Sequence, residues 1–439
     1  MNSENIPMTE GTILRDESLF SGKAESLSAP ETVEAVCHIV SHCRGKGTPI
    51  TVRGSLTAMN GAGVPMHCHS MSMERLNQVE YDPDTQTIWA QAGATFQTIE
   101  QTVRRESAGK REFPAAPTEK TATIGGALSF ATSGIRARRY GTVARQVLEL
   151  AYCDSTGTLH RVSREDKAFG DLLGSEGMCA VITGARLATT PVPGANWGLI
   201  FFLNSEEQAA DFAGRVWNLP GVTVLEYLDG ACLALLRTLG RSIEAVNRLP
   251  EPPSGADAAI YMELEAEDEG QMEEYAEAVL VEVDAAGADP DCSWSTIGVE
   301  VERFRDLHHA IQECINLKTS RNHSEDAAVT RLTYPACAGL ALERCKELAG
   351  EGLEAMAFGH WDEKLPMGIH IFARNEAQYR NAKEIMARWF REDSQQGRIG
   401  VPQRGVGKVY RDVFADGRLR NLKSAYDPDG IFNPGNGYQ

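Results

Sequence analysis

The chain has 439 residues, and its 61 acidic and 43 basic side chains give a net charge of −18 at neutral pH. A surface this acidic repels the phosphates of nucleic acids and of anionic membranes, so neither is expected as a partner. No apolar run reaches the roughly 18 residues of a membrane helix, and the first residues lack the basic and apolar regions of a signal peptide. We therefore expect a cytoplasmic chain of two to three domains.

The ten cysteines are scattered and never form a Cys-x-x-Cys pair. Such spacing is typical of free thiols that pack as small apolar side chains in a reducing compartment. An iron–sulfur cluster or a structural zinc ion held by this chain alone is therefore not expected.

The amino-terminal half alternates short strands and helices. A helical apolar pattern over 30–48 runs into the strand ITV, which ends at Arg53. Residues 78–92 predict two strands around a DPDT turn, and VLELAYCDSTGTLHRV predicts a hairpin over 147–162. The pattern stops at the PVPG sequence of 191–194, which marks a domain boundary.

From Trp197 onward strands and helices alternate again. GLIFFL, TVLEYL and AAIYMELE each precede a helical pattern, and EAMAFGHW and MGIHIFA predict a pair of strands. This order predicts an α+β fold, with helices covering one face of an antiparallel sheet. The last stretch, SAYDPDGIFNPGNGYQ, is too short for a domain and must dock elsewhere. We expect domains at 1–193 and 194–400, with 401–439 returning to the first.

Three clusters of glycine and hydroxyl residues lie next to strands of the amino-terminal half. They read RGSLTAMNGAG at 53–63, TATIGGALSFATSG at 121–134 and GSEGMCAVITGARL at 174–187. Backbone N–H groups of such turns can converge on an anion such as a pyrophosphate, although any strand–helix turn has a similar composition. The chain has neither a Walker A sequence nor an early GxGxxG, which disfavours NAD in a doubly wound domain. One ligand held by all three clusters is the simplest interpretation.

Four segments, taken in their order along the chain, match the pattern of a known family: RGSLTAMNGAGVP, PTEKTATIGGALSFATSGIRARRYGT, LLGSEGMCAVITGARL and YDPDGIFNPGN. In them the chain resembles the vanillyl-alcohol oxidase superfamily of flavoproteins, and within it the glycolate oxidase and D-lactate dehydrogenase branch. The resemblance covers about 29–193 and 422–436. It implies a PCMH-type FAD-binding domain of two α/β subdomains, with FAD between them, and an α+β cap domain.

The resemblance also implies which residues hold FAD. The first loop is expected at the pyrophosphate, the second loop and the tail at the flavin, and the third loop at the adenine. In that order the residues are Arg53, Gly54, Ser55, Leu56, Thr57 and Ala58; Pro117, Thr118, Thr123, Gly125, Gly126, Ser129, Thr132, Ser133, Gly134 and Asn433; and Gly177, Val181 and Ile182. Some relatives attach the flavin to a histidine in the first loop. Residues 53–63 contain no histidine or cysteine, so we expect non-covalent FAD.

Oxidation of a hydroxy acid needs a base for the hydroxyl proton and a cation for the carboxylate. The sequence FGHWDEKLPMGIHIF places His360 and His370 on neighbouring strands of a predicted hairpin, so that both can face one pocket. Two half-buried structural histidines would give the same pattern. We predict that one of these histidines accepts the hydroxyl proton.

The resemblance further implies a divalent metal such as zinc at a GH…GDGN-LH pattern, completed by a Glu-His pair in a later loop. Here WDEKLPMG replaces the GDGN core, and Gln403 and Arg404 stand where glutamate and histidine would be. A neutral amide binds zinc weakly and a guanidinium repels it, so a metal is disfavoured. Arg404 is instead the predicted clamp for a substrate carboxylate.

The sequence RFRDLHH opens another helical pattern at 303–309. The resemblance implies a carboxylate-binding arginine in this helix, but His308 stands at that position. Arg303 and Arg305 lie beside acidic neighbours, which predicts solvated helix charge.

The first functional hypothesis is an FAD-dependent oxidoreductase that takes a hydride from a 2-hydroxy acid or related alcohol to flavin N5. Its electrons would pass to an iron–sulfur or other electron-transfer partner, since this chain has no cluster ligands. The alternative is a flavin-bearing relay or structural subunit of a larger dehydrogenase, without a substrate site. A third hypothesis keeps the flavin and changes the substrate to an aromatic alcohol or phenol.

Overall fold

The structure is a computed structural model. It describes residues 9–10, 12–18, 20–240, 252–288, 294–297, 301–321, 330–362, 367–396, 407–411 and 417–436. The chain divides into two compact units. The first comprises Met1–Gly134, Tyr140–Val192 and Val401–Gln439, and the second comprises Ile135–Arg139 and Pro193–Gly400.

The first unit begins with a five-stranded sheet and one helix. The elements are β1 (Thr9–Glu10), β2 (Ile13–Arg15), β3 (Ser21–Ser28), α1 (Val33–Gly45), β4 (Ile50–Arg53) and β5 (Cys68–Ser72). Strands β3, β5 and β4 are parallel neighbours. Helix α1 begins after Thr32, whose side chain accepts the N–H of Ala35. Its residues Val36, Ile39 and Val40 recur at helical spacing and pack into the core of this sheet.

A second sheet completes this part of the first unit. The elements are β6 (Val79–Asp82), β7 (Thr87–Gln91), α2 (Phe96–Glu106), β8 (Arg111–Glu112), α3 (Ile124–Phe130), β9 (Val147–Cys153), β10 (Leu159–Ser163), α5 (Lys167–Leu172), β11 (Val181–Ala188) and β12 (Thr190–Pro191); the short helix α4 (Ala137–Tyr140), between α3 and β9, belongs largely to the second unit. Strands β10, β9, β11, β7 and β6 form an antiparallel sheet in that order. Helices α2 and α3 pack on it through Phe96, Ile99 and Leu128. The predicted hairpin is confirmed as β9 and β10.

The second unit is built on one antiparallel sheet of seven strands. Its elements are β13 (Ala195–Leu203), α6 (Glu206–Val216), β14 (Val222–Asp229), α7 (Gly230–Leu239), β15 (Ala258–Ala266), α8 (Glu269–Ala285), β16 (Trp294–Ile297), α9 (Val301–Arg321), β17 (Thr330–Ala336), α10 (Ala338–Gly350), β18 (Glu354–His360), β19 (Met367–Ala373) and α11 (Glu376–Gln395). The strand order is β16-β13-β15-β14-β18-β19-β17. The predicted α+β class is therefore confirmed.

Helices cover both faces of this sheet, so the expectation of one covered face is wrong. Every residue of β14, β15 and β19 is buried, whereas a half-exposed sheet alternates buried and exposed residues. Phe202 shares a core cluster with Leu233 of α7 and Ile311 of α9. Its neighbour Phe201 points to the other face and packs edge-on against Phe212 of α6.

The tail returns to the first sheet through backbone hydrogen bonds. Its one described helix is α12 (Gly417–Tyr426). The N–H of Ile50 donates to the carbonyl of Ile431, and the N–H of Asn433 donates to the carbonyl of Ile50, both at 2.6 Å. Phe432, between them, is fully buried.

Candidate functional site

In the first unit, the turn after β4 packs against the start of α3. The Ser55 hydroxyl donates to the carbonyl of Thr121 at 2.6 Å. A Cβ atom added at Gly54 would lie 2.2 Å from Thr123 Oγ1, so only glycine fits this approach. The first two predicted cofactor loops are therefore in direct contact.

The third loop joins the end of α3. The N–H of Glu176 donates to the carbonyl of Ser129 at 2.8 Å, and the N–H of Gly174 donates to that of Leu128 at 2.9 Å. Gly177 has a φ of +66°, a left-handed conformation that favours glycine. The second and third loops are thus also in contact.

Asn433 connects the third loop to the strand that precedes the first loop. Its side-chain Nδ2 donates to the carbonyl of Glu176 at 2.6 Å, and its Oδ1 accepts the Thr51 hydroxyl at 3.3 Å. Thr51 lies on β4, two residues before Arg53, where the first loop starts. We call the four segments 53–63, 121–134, 174–182 and 431–436 the loop ring.

The other predicted cofactor residues lie in or beside the loop ring. Pro117, Gly125, Gly134, Val181 and Ile182 are buried. The half-buried members are Arg53, Gly54, Ser55, Leu56, Thr57, Ala58, Thr118, Ser129, Thr132, Ser133 and Gly177. Gly126, at the start of α3, is exposed.

The loop ring offers a buried donor, unpaired in the described part of the chain, to an anionic ligand. Arg53 Nη1 bonds to Glu74 at 2.9 Å, but its Nε is buried without a hydrogen-bond partner among the described residues. A buried donor of this kind costs free energy until an acceptor arrives. Charged N–H groups beside glycine-rich turns suit a pyrophosphate. The residues present therefore fit the pyrophosphate of a dinucleotide such as FAD.

In the second unit, Glu226 of β14 lies between two imidazoles. His308 Nδ1 is 2.8 Å from Glu226 Oε2, and His360 Nδ1 contacts Glu226 Oε1 directly. The Glu226 side chain is only 3% exposed. Burial alone raises the pKa of this carboxyl, but His360 and His308 outweigh that effect and hold the pKa at about 2. Glu226 is therefore an ionised acceptor at neutral pH.

A second buried carboxylate lies on the adjacent strand. Glu263 of β15 accepts the Tyr261 hydroxyl at 2.6 Å and binds Arg305 Nε and Nη2 at 2.7 and 2.5 Å. The prediction of solvated charge at Arg305 is therefore wrong, because its guanidinium is committed to a fully buried partner. The Arg303 side chain lies outside the described residues.

A third carboxylate, Glu265, follows two positions along β15. Arg136 Nη2 lies 2.5 Å from it, with both side chains buried, and Arg139 Nε lies 3.9 Å away. Glu226, Glu263 and Glu265 point to the same face of the sheet, and we call them the carboxylate row. Each member has at least one cationic or imidazole partner, so the row fixes those partners in place.

His370 lies on the same face as His360 but not beside it. It stands opposite Met356, four residues before His360, which separates the two histidines by roughly 13 Å along the sheet. Phe358 lies between them, and its ring stacks on His370 at 4.8 Å. Thr333 Oγ1 is 3.3 Å from His370 Nδ1. Gln403 and Arg404 lie outside the described residues.

The described part of the chain shows no metal site and no membrane helix. No group of three or more histidine, cysteine, aspartate or glutamate side chains there could hold a metal ion. Within the same residues, no helix is long and apolar enough to cross a membrane.

Sequence reasoning missed the carboxylate row. Its signal was present in TVLEYL and YMELEA, where glutamates interrupt apolar strands. In a sheet covered on both faces, such a glutamate must be buried and needs a partner. Because we expected one face of the sheet to be exposed to solvent, these glutamates did not indicate buried charge.

Comparison with known protein families identifies the family of this chain. Residues 24–163 match the FAD binding domain, and residues 196–398 match the C-terminal domain of FAD linked oxidases. The chain belongs to the FAD-linked oxidoreductases. The predicted resemblance is thereby confirmed.

Curated relatives cover nearly the whole chain. D-lactate dehydrogenase of Archaeoglobus fulgidus is 24% identical over 92% of this chain and 89% of its own length. Glycolate oxidase subunit GlcD of Bacillus subtilis is 24% identical, over 95% and 89%. D-2-hydroxyglutarate dehydrogenase of Rattus norvegicus is 24% identical, over 94% and 78%.

Solved structures show the same fold. Two crystal structures of alkyldihydroxyacetonephosphate synthase match with TM-scores of 0.65 and 0.67, at 16% identity. Each covers 94% of this chain, and the chain covers 76% and 77% of them. This likeness confirms the fold class of the FAD-linked family.

Proposed function

We propose that this FAD-linked oxidoreductase is a dehydrogenase of a 2-hydroxy acid, whose electrons pass to a partner protein. The names of the relatives, which include lactate, glycolate and 2-hydroxyglutarate enzymes, support this substrate class. The domain roles follow: 1–193 with 401–439 holds FAD, and 194–400 handles the substrate. We place the protein in the cytoplasm.

The loop ring holds the cofactor without a covalent bond. Residues 53–58 hold the pyrophosphate, residues 117–134 and Asn433 line the flavin, and Gly177, Val181 and Ile182 contact the adenine side. When bound, FAD would supply the acceptor, flavin N5, for the hydride of the substrate carbon. Denaturation should release all of the yellow colour into solution, because 53–63 offer no histidine or cysteine for attachment.

His360 is the proposed base, and its contact with Glu226 carries the proposal. Because Nδ1 faces an ionised carboxylate, the neutral ring keeps its lone pair on Nε2. That nitrogen accepts the hydroxyl proton, and Glu226 stabilises the imidazolium that forms. His308 holds the other carboxylate oxygen, so it positions Glu226.

The substrate carboxylate needs a cation that the carboxylate row has not already neutralised. Arg305 and Arg136 are each committed to a buried glutamate. Arg404 therefore stays the proposed clamp, as a bidentate partner for the acid group. His370 is proposed to contribute indirectly: its ring stacks on that of Phe358 and so positions Phe358.

The test is anaerobic reduction of the FAD-loaded protein by a panel of 2-hydroxy acids: glycolate, both lactates and both 2-hydroxyglutarates. We expect one or more to bleach the flavin absorbance. His360→Asn should slow bleaching by about 10²- to 10⁴-fold, the usual contribution of a general base, with FAD content unchanged. Arg404→Ala should mainly raise KM.

His38→Asn, at an exposed position of α1, is the matched control and should bleach at the wild-type rate. Failure of every acid on the panel would favour the relay-subunit alternative. An His360→Asn variant as fast as wild type would remove His360 from the proposed role.

A further inference from the structure

Lys408 is a buried lysine inside the loop ring. Its side chain is only 3% exposed. Its Nζ donates to the carbonyl of Ala62 and to Asn433 Oδ1, both at 2.9 Å. Its backbone N–H donates to the carbonyl of Asn60, also at 2.9 Å. The ammonium group therefore joins the first segment of the ring to the last.

The ammonium group lacks an ion-pair partner among the described residues. The nearby carboxylates are used elsewhere: Asp16 Oδ2 accepts the N–H of Gly61 at 2.7 Å, and Glu176 Oε2 accepts the N–H of Gly407 at 2.8 Å. With two hydrogen bonds made, the third N–H of Lys408 has no acceptor in the described part of the chain. A buried cation in this state is costly unless an anion reaches it.

The surroundings of Lys408 determine the direction in which its pKa shifts. Burial lowers the pKa of Lys408 to about 7. Cys68, Glu176 and Asp16 shift this pKa in the opposite direction, and Arg411 adds to the lowering. The free protein therefore holds Lys408 largely neutral above pH 7, whereas a bound anion would restore its charge.

We propose that Lys408 holds the pyrophosphate of bound FAD as an ammonium ion, through a hydrogen bond from its third N–H, so that cofactor binding takes up a proton from solution. This inference rests on the proposed binding of FAD in the loop ring. Lys408 contacts Asn60 and Ala62 of the first loop, which closely follow the residues 53–58 assigned to the pyrophosphate. Lys408 is thus a cofactor-binding residue whose positive charge offsets the negative charge of the pyrophosphate.

Calorimetry of FAD binding to the flavin-free protein tests this directly. Titrations at pH 8 in two buffers of different ionisation enthalpy count the protons exchanged. We expect an uptake that approaches one proton per FAD, with a Kd that is constant below about pH 7 and rises above it. ADP-ribose, which has the pyrophosphate but no flavin, should take up the same proton, whereas riboflavin should not.

Two substitutions of Lys408 distinguish the effect of its charge from that of its side-chain packing. Lys408→Met should take up no proton and bind FAD about ten- to a hundredfold more weakly, since a charged hydrogen bond is lost. Lys408→Arg keeps its charge at every pH and should bind FAD without proton uptake. Lys46→Met, at an exposed position, is the control and should match wild type.

The outcomes distinguish the two proposals. A wild-type protein that does not bind FAD overturns both. A wild-type protein that binds FAD without exchanging protons, or a Lys408→Met variant that retains the uptake, overturns the role of Lys408 alone. Proton uptake with riboflavin but not with ADP-ribose overturns the assignment to the pyrophosphate.

Discussion

His69 is a polar residue that is buried, in its neutral form, in the core of the first sheet. It is fully buried on β5, and its two ring nitrogens lie 2.8 Å from the hydroxyls of Ser26 and Ser28 on the adjacent strand β3. One nitrogen can donate and the other accept, so both are satisfied in the neutral ring. Burial lowers the pKa of His69 to about 4.

This histidine predicts a loss of stability in mild acid. The unfolded chain takes up a proton near pH 6.5 and the folded chain only near pH 4, so stability falls as the pH drops through that window. Between pH 7 and 5 the free energy of unfolding should fall by about 2 kcal/mol from His69 alone. Urea unfolding at the two pH values measures this loss.

His69→Gln should remove most of that pH dependence, whatever its cost at pH 7. His38→Asn changes an exposed histidine and should keep the wild-type dependence. Equal slopes for His69→Gln and wild type would show that His69 is not the titrating group.

At this scale the sequence predicts local features and misses long-range ones. The loops of the ring were predictable because glycine and hydroxyl residues cluster within each segment. Glu226 and Lys408 were not, because the partners that make their burial tolerable come from distant parts of the chain. Arg305 was misjudged for the same reason, since its partner Glu263 lies 42 residues away.

At the scale of elements, the approach of α3 to β7 sets the shape of the loop ring. A Cβ atom added at Gly125 would lie 2.8 Å from the Cβ of Ala92 and 2.9 Å from its carbonyl oxygen. The N–H of Gly125 also donates to that carbonyl at 2.8 Å. The start of α3 is therefore held in place by contacts that no larger residue permits.

Gly125→Ala should push α3 away from the end of β7. We expect a loss of about 1–3 kcal/mol in the free energy of unfolding and a weaker hold on FAD, measured by denaturant titration and flavin fluorescence. Gly170→Ala, on α5 with open space around it, should instead be neutral or slightly stabilising. A Gly125→Ala protein as stable as wild type would mean that α3 can shift freely.

Element types were largely predictable, and their arrangement was not. Periodic apolar residues within one segment revealed the β9–β10 hairpin and the helices that follow β13, β14 and β15. The second covered face of the seven-stranded sheet was missed although its fully buried strands lack the alternation that marks a solvent-facing side. The strand order depends on contacts between segments that no local pattern encodes.

At the scale of the whole molecule, the first unit is assembled from both ends of the chain. Thr51 and Asn433 are hydrogen-bonded although 382 positions separate them. The chain also passes to the second unit for Ile135–Arg139 and back before it leaves again at Pro193. The family resemblance predicted the return of the tail, whereas composition alone gave no reason for the excursion at 135.

Truncation tests the part played by the tail. A chain ending at Tyr426 loses Phe432 from the core and Asn433 from the loop ring. We expect it to retain no FAD after gel filtration. A chain ending at Asn436 keeps these contacts and should retain FAD as the full chain does. Equal flavin content in both truncations would contradict the closing role of Asn433.

The separation of Thr51 from Asn433 also has a consequence for biosynthesis. Translation proceeds from the amino terminus, so β4 leaves the ribosome hundreds of residues before the strand segment that pairs with it. Throughout that interval the edge of β4 lacks its partner, and an unpaired strand edge is prone to pair with other chains. We therefore expect the protein to bind flavin only after the tail has been synthesised.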